Sequence, residues 1–391
     1  MIDIEKVRSD TPGTQSVVHF NNAGCALPPT VVTSAIIDYL KAEAIGGGYE
    51  MARSRAEQLS SVYDAASTLL GGQPGNWAFV ESATRAWNAA FSALRFSAGD
   101  RIITTRAEYP SNMAGLLRAK EFQGVHIDIV PNDEHGQLDL AALKTMLTDR
   151  TRLVSVTHMP TQGGLVNPVL EVGALLSGSP ILYQVDACQS VGQIEVNVDD
   201  IGCDILSFTG RKFVRGPRGT GMVWASERAL SQMSNPAGVD MSGAEWIAPM
   251  EITPHPDASR FEPYETFFAG KVGLAVALRY AHSIGIENIR ERNSSLANTL
   301  RSKLSNLPGV VLHDLGLTKS AIVTFNVDGF DAGSVVSQLA LKSINVSASS
   351  VNSARLDFPE RGLTSVVRAS VHYYNNDEEI DKLMGAISEL K

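Results

Sequence analysis

Between Asn76 and Ser226 the chain alternates short apolar runs with amphipathic stretches, and this alternation limits the available folds more than any other feature. The runs are 76–82, 101–109, 125–131, 152–159, 180–187, 204–210 and 219–226. Each has the length and apolar character of a strand. Helical patterns at Ala86–Leu94, Asn112–Glu121, Leu138–Thr148 and Leu170–Leu176 lie between most of them. Strands separated by helices predict an α/β domain with a mostly parallel, seven-stranded sheet. Past Arg260 two helical stretches, Lys271–His282 and Ile286–Leu304, lead into shorter strands at 310–314, 321–327, 344–350 and 366–373. These predict a second, smaller α/β domain at the carboxy terminus. Ser231–Pro256, rich in Ser, Gly, Pro and Met, reads as a long loop, and loops of that length in compact domains are often functional.

At 391 residues, with 44% hydrophobic and 19% charged residues, the chain has enough material for a large core and two domains. A net charge of −9 argues against nucleic acid as a partner, because a phosphate-tracking surface needs clustered Lys and Arg. The amino-terminal MIDIEKVRSD is partly acidic and has no apolar core of signal-peptide length. No window reads as the roughly 18 apolar residues of a membrane span, so the expectation is a cytoplasmic protein without a membrane partner. Cys25, Cys188 and Cys203 are too few and too scattered for a disulfide framework or a zinc site, and the histidines form no HExxH pair. No metal is assigned.

Polar clusters at the ends of the apolar runs carry chemistry. VDACQSVGQ puts Asp186 and Gln189 at the end of one run, and SFTGRKF puts Thr209, Arg211 and Lys212 at the end of the next. A carboxylate at the end of a buried strand can pair with a pyridinium nitrogen and keep it protonated. A lysine on a neighbouring turn can hold an aldehyde as a Schiff base and later move protons. Together they describe a site for pyridoxal 5'-phosphate, in which Gln189 can donate to the ring's phenolate or to the imine. Thr209 can offer its hydroxyl to the phosphate. Ser82, Ala83 and Thr84, on a turn between a strand and a helix, supply a phosphate cup: a helix amino terminus presents unpaired N–H groups and a positive dipole end.

The chain resembles the fold-type I pyridoxal phosphate enzymes of the aminotransferase class V superfamily, nearest the cysteine desulfurase branch. The likeness runs nearly end to end. HFNNAGCALPP (His19–Pro29) resembles the amino-terminal active-site segment, ESATRAWN (Glu81–Asn88) the phosphate turn and VTHMPTQGGLVNP (Val156–Pro168) a ring-contacting loop. VRASVHYYNNDEEID (Val367–Asp381) resembles the segment whose arginine holds the substrate carboxylate. The resemblance implies a large cofactor-binding domain over residues 20–260 and a small domain made of 1–19 with 261–391. It also implies a homodimer with composite sites, because RFEPYET (Arg260–Thr266) aligns with a segment that crosses the dimer interface in desulfurases.

For single residues, the resemblance implies that Tyr109 stacks on the cofactor ring, where desulfurases use a histidine at the position of Pro110. Thr161 takes the place of an asparagine that contacts the ring oxygen. Arg211 stands where desulfurases often carry histidine and is expected as a phosphate ligand. Arg368 is the implied substrate anchor, since its fork of donors matches a carboxylate bidentately; Asn22 is implied as a second substrate contact. His372, four residues on, would share Arg368's face of a strand and line the pocket, whereas Tyr373 would not. Desulfurases carry a mobile cysteine shortly before this arginine to take the substrate sulfur as a persulfide, and residues 344–368 of this chain contain none. Elimination, transamination and racemisation all stay open, because each needs the lysine, the ring and a positioned amino acid. The leading expectation is β-elimination of the C–S lyase type, followed by an aminotransferase and then an amino-acid epimerase.

Overall fold

The computed structural model describes residues 2–390; Met1 and Lys391, the two ends assigned to the small domain, lie outside the described residues. The central sheet comprises β1 (Trp77–Val80), β2 (Arg101–Thr105), β3 (His126–Val130), β4 (Thr151–Thr157), β5 (Leu182–Asp186), β6 (Ile205–Thr209) and β7 (Gly221–Ala225). Its order is β1-β7-β6-β5-β4-β2-β3. Neighbours run parallel except β7, which is antiparallel to both β1 and β6. The predicted sheet is present, with one strand in each apolar run. Side chains alternate between two covered faces. Val154, Tyr183 and Leu206 join one core, while Leu153, Leu182 and Ile205 join another with Trp87 and Leu116. In such a sheet ligands bind outside the carboxyl ends of the parallel strands.

A smaller antiparallel sheet follows, made of β8 (Val310–Leu312), β9 (Ile322–Val327), β10 (Ser347–Ser350) and β11 (Ser365–Ser370), ordered β8-β9-β11-β10. Its core includes Leu300, Phe325, Val335 and Leu383, and it also takes in Phe20 and Ala23. The amino-terminal segment is therefore stitched to the carboxy-terminal body, with Val18–His19 pairing in parallel with Ile344–Asn345. The helix Phe268–Ile284 lies beyond the boundary expected at residue 260. It nonetheless buries Leu274, Ala275, Ala277 and Leu278 in the core of the large sheet, so the change of core comes near Gly285.

Three further features depart from the sequence pattern. Helices Thr30–Gly46, Gly48–Ser54 and Ala56–Leu70 fill a region where no element was assigned. Within it, Asn22–Gly46 is, among the described residues, the one stretch with the length and mean hydropathy (1.2) of a membrane span, against the expectation that no such window exists. Asn22, Ala23, Val32 and Tyr39 of this stretch are buried inside the protein, and Ala26–Pro29 is not helical. Ser231–Pro256 is not a bare loop: Ala244–Ala248 and Glu251–Pro254 form an antiparallel hairpin that exposes Trp246, Ile247 and Ile252. Those β-formers were the available signal, masked by the surrounding Ser, Gly and Pro.

Arg215, three residues past Lys212, ties these pieces together. Its backbone is left-handed (φ 63°), and its N–H closes a turn onto the Lys212 carbonyl at 2.8 Å. The buried guanidinium donates to three neutral oxygens: the Leu27 carbonyl (2.8 Å), the Tyr373 hydroxyl (2.8 Å) and Thr11 Oγ1 (2.5 Å). It also lies over the rings of Tyr374, Tyr373 and Tyr280 at 4.7, 5.1 and 5.8 Å, a favourable arrangement for a cation. Arg215→Ala is expected to lower the unfolding free energy by about 3 kcal/mol, the scale of losing hydrogen bonds to a charged group. Urea titration measures it, and a change below about 0.5 kcal/mol, the range of ordinary surface substitutions, would deny the tie.

Two buried imidazoles set an acid limit on this fold. Burial pushes His158 down to about 4 and His372 well below its ordinary value. Below about pH 6.5 the unfolded chain therefore binds protons that the folded chain refuses. Stability from these groups is present above that pH and is lost as pH falls through it, by about 1.4 kcal/mol per pH unit for each histidine. His158→Asn should flatten the pH dependence of the urea midpoint below neutrality, and an unchanged slope would show that His158 does not contribute.

Candidate active site

The carboxyl ends of β4, β5 and β6 open into a cleft with about 620 Å³ of empty volume, lined by Ser82, Ala83, Thr84, Tyr109, Thr161, Asp186, Gln189, Thr209, Arg211 and Lys212 among others. Ser82 caps the helix Ala83–Ala93, its side chain accepting from the Arg85 N–H at 3.2 Å. The amino terminus of that helix faces the cleft. Gly221, the first residue of β7, packs directly under this turn: a Cβ there would lie 2.5 Å from the Ser82 carbonyl carbon and 2.8 Å from the Ala83 nitrogen. The turn can sit this deep only because Gly221 has no side chain. Thr209 lines the same end of the cleft, with its hydroxyl donating to the Thr220 carbonyl at 3.1 Å.

Lys212 is buried, and its amine has no hydrogen-bond partner among the described residues. Burial lowers its pKa, Arg211 and Arg368 add to that, and Cys188 and Asp186 oppose it. A lysine biased toward its neutral form is what imine chemistry requires. Lys271 is the other buried lysine, but it is held by Tyr63 and by Glu262 at 3.4 Å. Asp186 closes β5. Its Oδ1 accepts from the Cys188 N–H (2.9 Å) and its Oδ2 from Asn112 Nδ2 (2.8 Å), which orients the carboxylate at the cleft. Gln189 donates to Thr161 Oγ1 (3.0 Å) and the Ala23 carbonyl (3.1 Å), and its buried Oε1 is without a partner.

Arg368, on β11, reaches the cleft from the small sheet. All its partners are neutral oxygens: Ser347 Oγ (3.0 Å), the Thr161 carbonyl (2.9 Å), Thr161 Oγ1 and Asn21 Oδ1 (3.4 Å). Burial pushes its pKa down to about 10, helped by Arg211; it stays cationic at neutral pH and lacks a counter-ion. Arg211 donates to the Gly24 carbonyl at 3.0 Å while lining the cleft. Tyr109 lines the opposite wall at the start of the helix Pro110–Gln123.

Two expected residues lie elsewhere. Asn22 is fully buried, its amide donating to the Ser370 carbonyl at 2.7 Å and its oxygen accepting from the Tyr374 hydroxyl. Its neighbour Asn21 is the one that meets Arg368, because the short helix Asn22–Cys25 begins there and turns Asn22 inward. His372 does not line the cleft. The strand ends at Ser370, so alternation no longer applies, and the imidazole bonds the Phe213 carbonyl at 2.9 Å. Sequence reasoning assigns no role to Asn112, Thr157, Met159 or Cys188, which also line the cleft. Asn112 was legible only as part of a helix.

These features fit pyridoxal phosphate: a helix terminus for the phosphate, a carboxylate for the ring nitrogen, an unpaired buried amine for the aldehyde and an uncompensated arginine for the substrate. The sequence model of the aminotransferase class-V family matches residues 17–383, and the chain belongs to that family. The probable cysteine desulfurase of Methanothermobacter thermautotrophicus is 29% identical over 397 residues, covering 99% of this chain and 98% of that protein. The probable cysteine desulfurase of Pyrococcus abyssi is 28% identical over 394 residues, covering 99% and 97%. The apo structure of the cysteine desulfurase from Thermococcus onnurineus matches with a TM-score of 0.93 at 26% identity, covering 100% of this chain and 98% of that one. The cystine C–S lyase C-DES, solved with cysteine persulfide, shares the fold at a TM-score of 0.87 and 22% identity, covering 97% and 99%. The protein is accordingly a pyridoxal phosphate-dependent enzyme with the fold-type I architecture.

Borohydride reduction of the cofactor-loaded protein, followed by peptide mass mapping, is expected to place the pyridoxyl group on Lys212. Label on Lys271, or none, would overturn the assignment of the attachment residue.

Proposed function

We propose that the protein is a C–S lyase that removes a sulfur substituent from Cβ of a cysteine-derived amino acid by β-elimination. One observation carries the reading. The cleft keeps an arginine and a lysine for an amino acid, yet offers no thiol suited to accept sulfur. Of the three cysteines, Cys188 alone lines the cleft. Burial, with the Asp186 charge next, pushes its thiol up, so it stays protonated and weakly nucleophilic. Residues 344–368 contain no cysteine. Between the strands β10 and β11 this segment packs Ala354 and Phe358 into a small core with Val366 of β11.

When bound, pyridoxal phosphate supplies an electron sink for the substrate's Cα. The remaining work falls to this chain's side chains. Arg368 grips the α-carboxylate, with Thr161 and Asn21 holding the guanidinium in place. Lys212, biased toward its neutral form by burial, takes the proton from Cα and can return one. Asp186 would hold the ring nitrogen, and Gln189 fixes Thr161 by donating to its hydroxyl. The C–S pair leaves with sulfur, which exits as a thiol or sulfenic acid because no protein thiol receives it. Addition of water then gives a 2-oxo acid and ammonia.

We also infer a homodimer. In Arg260–Thr266, Arg260 and Phe261 are buried and Glu262 bonds Tyr63 and the Phe79 N–H, so Tyr264 and Glu265 form the exposed part that can reach a partner. With S-substituted cysteines and their sulfoxides, the dimeric protein is expected to release pyruvate, ammonia and the sulfur fragment in equal amounts. Stoichiometric pyridoxamine phosphate without a sulfur product would favour the aminotransferase. Exchange of the Cα hydrogen with inversion alone would favour the epimerase, and a monomer by sedimentation would refute the dimer.

A further inference from the structure

Behind Asp186 the fold buries a second carboxylate that the chemistry above leaves unused. Glu108 follows β2 and is almost wholly inside the protein. Its Oε1 accepts from the Tyr109 N–H (2.7 Å), Asn112 Nδ2 (2.9 Å) and the Thr157 hydroxyl (2.6 Å), and its Oε2 from the Thr104 hydroxyl (2.6 Å). The second amide hydrogen of Asn112 goes to Asp186 Oδ2 at 2.8 Å. One NH₂ group thus donates to both carboxylates and has no hydrogen left over.

Backbone and amide N–H groups can only donate, so Oε1 must accept. With two hydroxyls added, four donors converge on one carboxyl group, a set that favours its charged form. The balance still raises the Glu108 pKa: burial pushes it up most and the Asp186 charge adds to this, while the bonds from Thr104, Thr157 and Asn112 pull it back down. Asp186 on β5 is the charged group that faces it; β2, β4 and the helix Pro110–Gln123 present Thr104, Thr157 and Asn112, none of which titrates.

We propose that Glu108 is a positioning residue of the cofactor site: through Asn112 it fixes Asp186, and its charge strengthens the field that keeps the ring nitrogen protonated. The proposal rests on the pyridoxal phosphate reading of the cleft. Two carboxylates in one buried site would ordinarily repel until one protonates. The shared amide between them and the donors on Glu108 allow both charges to stay, with the pyridinium as their counter-charge when the cofactor is bound.

Glu108→Gln isolates the charge. Its amide oxygen can occupy the three-donor position, and its NH₂ can face the Thr104 hydroxyl, which is able to accept. In protein loaded with pyridine-nitrogen-labelled pyridoxal phosphate, the nitrogen resonance followed against pH should titrate about one unit lower in this variant, a tenfold change in the proton equilibrium. Lys212 should still be labelled by borohydride, and kcat should fall with KM unchanged. A wild-type titration in folded Glu108→Gln protein would overturn the proposal. Failure of the unaltered protein to take up pyridoxal phosphate would instead overturn the reading of the cleft. Should Glu108→Gln not fold, Thr104→Val removes only the donor to Oε2 and should move the titration the same way by less; an unmoved nitrogen there would also overturn the proposal.

Discussion

A buried guanidinium is costly unless every donor finds an oxygen, and in this protein that requirement organises the whole active end of the molecule. Arg215 satisfies it with oxygens from three separate parts of the chain: the amino-terminal Thr11 and Leu27 and the carboxy-terminal Tyr373. The lysine loop, at its left-handed turn, is thus bonded to both ends of the chain. Lys212, on the other side of that turn, inherits the geometry. The distant segments have no comparable contact of their own with the lysine, so the position of the nucleophile depends on the small body as much as on the sheet that carries it.

The electrostatics of the cleft follow from this convergence. Arg211, Lys212 and Arg368 come from two bodies; Arg211 lowers the proton affinity of both Lys212 and Arg368, and Arg368 lowers that of Lys212. Asp186 is the carboxylate that faces them. An excess of positive charge in a buried cleft calls for an anionic occupant, and a phosphate at one end with a carboxylate at the other meets that demand. Of these three cations the lysine sheds its proton at least cost, since an arginine cannot readily do so. The arginines thus contribute to the reactivity of a side chain they do not touch.

The sheet and the central chemistry were legible because they depend on local patterns. The apolar runs mark the strands, and Asp186 and Lys212 fall at the ends of two of them. What the sequence concealed depends on contacts between distant residues. Asn22 looked like the substrate contact, but which of two adjacent asparagines faces Arg368 is decided by where a four-residue helix begins. His372 was placed by strand alternation, which ends with β11 two residues earlier. The helices between Thr30 and Leu70 pack against Phe268–Ile284; Pro28–Pro29, Gly46–Gly48 and Gly71–Gly72 bound them in the sequence, but what they pack against lies far along the chain. Glu108 falls at the end of one apolar run and Asn112 at the start of the next helical pattern, and nothing local says that they meet each other or that a third residue, Asp186, completes the set.

On the proposed lyase reading, the departure from a desulfurase would lie in a small region, residues 344–368, which contain no cysteine. Persulfide formation needs a thiolate that can approach the substrate's sulfur and withdraw, which requires a mobile segment. Residues 351–363 are instead fixed by two short 3₁₀ turns, the Asp357–Arg361 ion pair and the burial of Phe358. Cys188 cannot substitute, because its N–H is committed to Asp186 and its thiol is held protonated. Proton abstraction at Cα and departure of the β-substituent need neither feature. On the proposed reading, such a site would carry out the bond-breaking half of the desulfurase reaction and leave the sulfur free to diffuse away, and the fate of that sulfur distinguishes a lyase from a sulfur carrier.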